Sequence, residues 1–123
     1  MPIIPVADWQ ETYGRFMTTL LESIPLTRIT LGSICSYAQA QRLMELKLGK
    51  QNAISTLIGR EPAKSDDGRL RFSRAVREEV YRYLIECIRR QRPDLEIGLC
   101  LEDQAMFVSL DLTGTMGRCN CVL

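Results

Sequence analysis

The chain reads as a mixed α/β protein with parallel strands and helices packed outside them, and three observations predict it. The apolar run Ile97-Gly98-Leu99-Cys100-Leu101 does not alternate, which is the pattern of a strand covered on both faces. Strand-like and helical stretches alternate along the chain, as strand–helix–strand units require. Each strand-like stretch ends in punctuation, Gly32-Ser33 after the first and Glu102-Asp103 after the second. In such folds ligands sit at the carboxyl ends of the strands, so these two breaks are where a site is expected.

The elements follow in order. Met1 to Val6 is apolar with Pro2 and Pro5, which suits the last residues of a strand leaving a sheet. Asp8 offers a cap with Glu11 three residues on. Trp9, Tyr13, Phe16, Met17, Leu20 and Ile24 then form a stripe, predicting an amphipathic helix from Asp8 to about Ser23. Pro25 ends it, and Thr27 to Leu31 is a β-branched run that stops at Gly32. Ser36 to Leu48 returns to helical spacing, with Gly49 as its carboxyl cap. Residues 50–71 hold Gly59, Pro62 and Asp66-Asp67-Gly68 and read as a long loop with a tight turn. Ser73 caps a helix whose stripe is Val76, Val80, Tyr83, Leu84, Cys87 and Ile88, ended by Pro93. Its other face, with Arg74, Arg77, Glu78, Arg82, Glu86, Arg89 and Arg90, reads as solvated. The strand Leu95 to Leu101, a short helix from Asp103 to Leu110 and a Gly- and Cys-containing tail complete the chain. Two strands and a stub would leave a long apolar edge, so a second copy or a complementary piece of chain is expected to cover it.

Composition narrows the chemistry. The chain's 123 residues, 46% hydrophobic and 25% charged, fit one core. With 16 basic and 15 acidic residues the net charge is +1, so no global field favours nucleic acid or an anionic membrane. Histidine is absent, which removes the commonest general base and metal ligand and every Ser-His or Cys-His pairing. The five cysteines, Cys35, Cys87, Cys100, Cys119 and Cys121, come without a basic-then-apolar leader. No apolar run approaches the roughly 20 residues of a membrane span. A reducing cytoplasm is expected, with thiols free, buried or ligating.

The candidate site residues are those at the strand ends. Ser33 can touch a ligand through its hydroxyl, and Cys35 reads either as a pocket thiol or as packing. Cys100 reads as a small hydrophobe or a pocket thiol. Glu102 is an acceptor for a ribose or amino group, whereas Asp103 suits the cap of the next helix. Cys119 and Cys121 could reach one metal with Cys100 as third ligand, act as a redox pair, or be incidental tail thiols. Trp9, Tyr13, Tyr81 and Tyr83 read as core before base-stacking residues. Lys50, Arg60, Lys64, Arg69 and Arg71 form the candidate phosphate-contacting surface, opposed by Glu61, Asp66 and Asp67.

Short motifs resemble a known family. Pro2-Ile3-Ile4-Pro5 followed by Trp9 and Tyr13, Arg28-Ile29-Thr30-Leu31-Gly32, Asp67-Gly68-Arg69 leading to Phe72 and Tyr81, and Leu99-Cys100-Leu101-Glu102 with Cys119-Asn120-Cys121 are similar to the carboxyl-terminal half of spore photoproduct lyase-like radical SAM proteins. The resemblance implies a partial (β/α) barrel segment, a 4Fe-4S cluster, S-adenosylmethionine, radical chemistry and DNA photoproduct repair. The family's CxxxCxxC cluster motif is absent from this chain. The expectation is therefore a fragment or second half of a split lyase, inactive alone, whose partner is a complementary amino-terminal half. Ser33, Cys100 and Glu102 would lie on its substrate or cofactor side. The alternative is a small α/β interaction module without catalysis, dimerising through its strand edge.

Overall fold

The computed structural model describes residues 2–60, 63–64 and 68–118. Its elements are α1 (Trp9–Ser23), β1 (Arg28–Leu31), β2 (Cys35–Ser36), α2 (Ala38–Leu48), α3 (Ala53–Arg60), β3 (Ala63–Lys64), β4 (Leu70–Arg71), α4 (Arg74–Gln91), β5 (Glu96–Leu99), α5 (Gln104–Ser109) and a 3-10 turn (Thr113–Thr115). The protein is mixed α/β. β1 and β5 pair in parallel, with Arg28 opposite Glu96, Ile29 opposite Ile97, Thr30 opposite Gly98 and Leu31 opposite Leu99. Ile3 adds a parallel bridge to Ser33 on the far side of β1, its N–H donating to the Gly32 carbonyl at 2.8 Å. A second, antiparallel sheet of two-residue strands runs β2-β4-β3. The described strands make these two small sheets and not a closed barrel.

Burial explains why β5 carries a continuous apolar run. Ile97, Gly98 and Leu99 are all buried, and α4 supplies Val80, Tyr81, Leu84 and Ile88 to the same core. Met17 and Leu21 of α1 and Met106 and Phe107 of α5 complete it. Helix α1 packs on α4, where Trp9 meets Tyr83 edge-to-face with ring centroids 5.2 Å apart. Two caps sit as the sequence predicts: Ser73 Oγ accepts from Val76 N–H, and the Asp103 carboxylate accepts from Met106 N–H at 2.8 Å.

Four expectations are corrected. Residues 50–71 are not one loop, because α3 occupies Ala53–Arg60. Its start is fixed by Asn52, whose side-chain oxygen accepts from Ser55 N–H at 3.0 Å. Asp8 does not cap α1 through its side chain; it takes a left-handed conformation, φ 60°. Phe16 lies on the exposed side of α1, not in its buried stripe. Arg77 is not on a solvated face: it is 5% exposed, because residues 77, 80, 81, 84 and 88 recur at three- and four-residue steps on the inward side of α4.

The parallel sheet also has neighbours at both edges among the described residues. Ile3 flanks β1, and Thr115 of the 3-10 turn donates its hydroxyl to the Ile97 carbonyl at 2.8 Å beside β5. No helix among the described residues is long and apolar enough to cross a membrane.

Candidate functional site

Ion pairs mark both ends of the parallel sheet. At the amino ends Arg28 meets Glu96 at 2.7 Å. At the carboxyl ends the chain turns sharply after β5, and Leu101 takes φ 57°, an uncommon conformation for a leucine. That turn directs the next side chain, Glu102, into the protein, where it is 1% exposed.

The Glu102 carboxylate is shared by three groups. Its Oε2 faces Arg77 Nη1 in a close ion pair and Arg71 Nη1 at 3.5 Å. Its Oε1 accepts from the Tyr81 hydroxyl at 2.9 Å. That hydroxyl in turn accepts the Ser33 backbone N–H at 2.9 Å, which ties the end of β5 to the end of β1 through α4. Arg77 Nε donates to the Phe72 carbonyl at 3.1 Å, and Arg71 Nε donates to Cys35 Sγ at 3.4 Å. Burial and the adjacent Glu102 charge push the Tyr81 hydroxyl well above its ordinary value, against the opposing pull of Ser33. The Arg71 guanidinium is held charged: burial acts against the charge, but the Cys35 sulfur and Glu102 outweigh it.

In front of this network lies a cleft of about 360 Å³ lined by Pro2, Gly32, Ser33, Ile34, Cys35, Ser36, Cys100 and Leu101. Ser33 and Cys100 therefore share one cleft, while Glu102 sits behind it with both oxygens engaged internally. Its acceptor capacity serves Arg77, Arg71 and Tyr81, not the cleft. Neither Cys35 nor Cys100 is part of a disulfide. Burial first, and the neighbouring Cys35 second, raise the Cys100 thiol, while Arg69 and Arg71 pull it down. Cys119 and Cys121 lie outside the described residues. Among the described residues no three metal-ligating side chains converge.

Three of the expected cations are placed. Lys50 is exposed between α2 and α3. Arg71 is buried, bonded to the sulfur of the cleft-lining Cys35, and is not part of an outer phosphate-contacting surface. Arg69 stacks over the Tyr37 ring, 5.8 Å from its centroid. The sequence reading does not single out Arg77 and Tyr81 as site residues, since it sets Arg77 on the solvated face of α4 and Tyr81 in the core; both are buried. Nothing in the local sequence pairs them with Glu102, 25 and 21 residues away. No family model, curated protein or solved structure matches the chain.

Proposed function

We propose that the chain is a small α/β binding module whose strand-end cleft takes a small anionic ligand, of the phosphate, sulfate or carboxylate class. One observation carries the reading. Arg71 and Arg77, 7% and 5% exposed, share a single buried carboxylate, so the trio holds one positive charge in excess beside the cleft. A buried charge without full compensation is costly, and an anion in the cleft would relieve it. Arg71, at 3.5 Å from Glu102 and touching a cleft-lining thiol, is the guanidinium placed to receive it. The hydroxyls of Ser33 and Ser36 would complete its coordination as donors. Inorganic phosphate, sulfate and acetate titrated into the protein test this. The amide resonances of Ser33, Cys35 and Cys100 should shift saturably with one of them, and Arg71→Met should abolish the shift. Equal shifts in the variant, or none in the cleft, would remove the reading.

The position of this cleft at the carboxyl ends of parallel strands also supports the substrate side of a partial barrel, the role implied by the likeness to radical SAM lyases. In that reading the cluster and S-adenosylmethionine would be bound by a complementary chain carrying CxxxCxxC. Anaerobic reconstitution of the chain, alone and mixed with such a partner, tests it by electron paramagnetic resonance. A cluster signal that shifts with the cofactor only in the mixture is the expected result, and no signal in either sample would end it.

A further inference from the structure

The strand-end cleft is larger and less polar than an inorganic ion requires. At about 30 Å³ for each water-sized group, its 360 Å³ has room for on the order of 10 non-hydrogen atoms, well beyond a phosphate or sulfate. Pro2, Gly32, Ile34 and Leu101 give it apolar walls, and none of its described lining residues is cationic. Positive charge reaches it from behind, through Arg71. A guanidinium is planar, and Nη2 lies on the same edge as the Nε–H; by that edge Arg92 grips both oxygens of Asp94. In Arg71 this edge is turned to Cys35, a lining residue, with the Nε–H on its sulfur at 3.4 Å. Nη1 reaches Glu102, and Nη2 makes no hydrogen bond among the described residues. Arg77 offers no such edge, because its Nε–H is engaged by the Phe72 carbonyl. The turn after β5 supplies the rest of the site. With φ 57° at Leu101 it sends Glu102 inward and leaves the Leu101 side chain 47% exposed at the cleft.

We infer that the ligand is a free monocarboxylic acid with a short alkyl body, its carboxylate on the Nε/Nη2 edge of Arg71 and its alkyl body between Leu101 and Ile34. The inference rests on the anion reading above and narrows it. Charge selects the carboxylate. Arg71, Arg77 and Glu102 hold one positive charge in excess, which a monoanion matches. A phosphate monoester carries about −1.5 to −2 at neutral pH and would bring uncompensated negative charge into a cleft with no second cation among its described walls. Geometry selects it again, because two parallel N–H donors fit the two oxygens of a carboxylate. To receive it, Arg71 exchanges the Cys35 sulfur, a weak acceptor, for a charged oxygen. Each methylene laid against Leu101 and Ile34 then leaves water. A peptide carboxyl terminus carries the same carboxylate, but backbone groups that would pair with a peptide are already engaged. The Gly32 carbonyl accepts from Ile3 N–H, and the Ser33 N–H donates to Tyr81. The left-handed backbone at Leu101 serves both halves of the site, burying the carboxylate that faces Arg71 and presenting the apolar wall.

Amide shifts of the full chain titrated separately with acetate, hexanoate, hexanol, phosphate and N-acetyl-leucine test it. Hexanoate should bind roughly tenfold or more tighter than acetate, since full burial of one methylene gives about fourfold. Hexanol and phosphate should bind more weakly than hexanoate, and N-acetyl-leucine, which mimics a peptide terminus, no more tightly. Leu101→Gly relaxes the left-handed backbone and so keeps the fold; it should bring hexanoate to within about threefold of acetate and leave acetate unchanged. Arg71→Lys keeps the charge without the fork and should weaken both acids together, the same spectra reporting its fold. Acetate and hexanoate binding equally, phosphate binding more tightly than either, or an unchanged chain-length dependence in Leu101→Gly would overturn the ligand class and leave the anion site standing. N-acetyl-leucine binding more tightly than hexanoate would give the cleft to a peptide terminus and overturn the free acid. Hexanol matching hexanoate, or no cleft shift with any anion, would end both readings.

Discussion

Removing the Glu102 carboxylate would leave Arg71 and Arg77 facing each other with no counter-charge in a space almost without water. Glu102→Ala should therefore destabilise the protein by about 3–5 kcal/mol in chemical denaturation, as breaking a buried ion pair does. Adding Arg77→Met should recover part of that loss, because the second change removes the stranded cation. Tyr81 links this carboxylate to Ser33 and carries a second prediction. Its hydroxyl stays protonated in the folded chain above the ordinary tyrosine value of 10.0. Above that value the unfolded chain releases the proton while the folded chain keeps it, so stability falls as pH rises. Below it both states are protonated and the contribution is fully present. Cys100, raised from 9.0, adds a loss of the same sign that begins lower. Denaturation curves from neutral to strongly alkaline pH should decline in both ranges. Tyr81→Phe should remove the upper decline and Cys100→Ser the lower.

Among the elements, α1 and α4 show a helix-interior glycine retained by packing. A Cβ on Gly14 would stand 2.8 Å from the Tyr83 hydroxyl oxygen, which donates to the Gln10 carbonyl at 2.8 Å. Alanine gains about 1 kcal/mol of helix propensity over glycine, and the overlap works against that gain with about 1–3 kcal/mol. Gly14→Ala should thus lower thermal stability. Gly14→Ala in a Tyr83→Phe background, where the offending oxygen is gone, should raise it relative to Tyr83→Phe alone. The helix ends are where the sequence was most legible, since Ser73 and Asp103 each satisfy an amide within three residues. Asp8 shows the limit of the same rule. It has the composition of a capping box with Glu11, yet its backbone turns left-handed to bring the chain from the Ile3 bridge into α1. Helix α3 is hard to read because Asn52 caps it from inside a stretch punctuated by Gly59, Pro62 and Asp66-Asp67-Gly68.

At the scale of the whole molecule, cohesion is uneven. Helix α2 has no buried residue, and Leu43 and Leu46 are 68% and 76% exposed, while α1, α4, β1 and β5 share one core. Amide hydrogen exchange should separate the two regions, with α2 amides exchanging well before those of α4 and β5; equal protection would contradict this division. Val80, Leu84 and Ile88 of the α4 stripe, the covered strand β5, the parallel class of the sheet and the position of its breaks were determined by the sequence, because periodicity and punctuation are local properties. So was the presence of Ser33, Cys100 and Glu102 at strand ends. Only the tertiary structure decided that Glu102 faces inward to Arg77, Arg71 and Tyr81, that Cys35 and Cys100 share a cleft, and that Arg71 lies between network and thiol. These contacts join β1, β2, β4, α4 and the β5 turn, and no local pattern encodes them. They depend on where the crossover between two parallel strands returns the chain, and that is set by how the helices bury their apolar faces together.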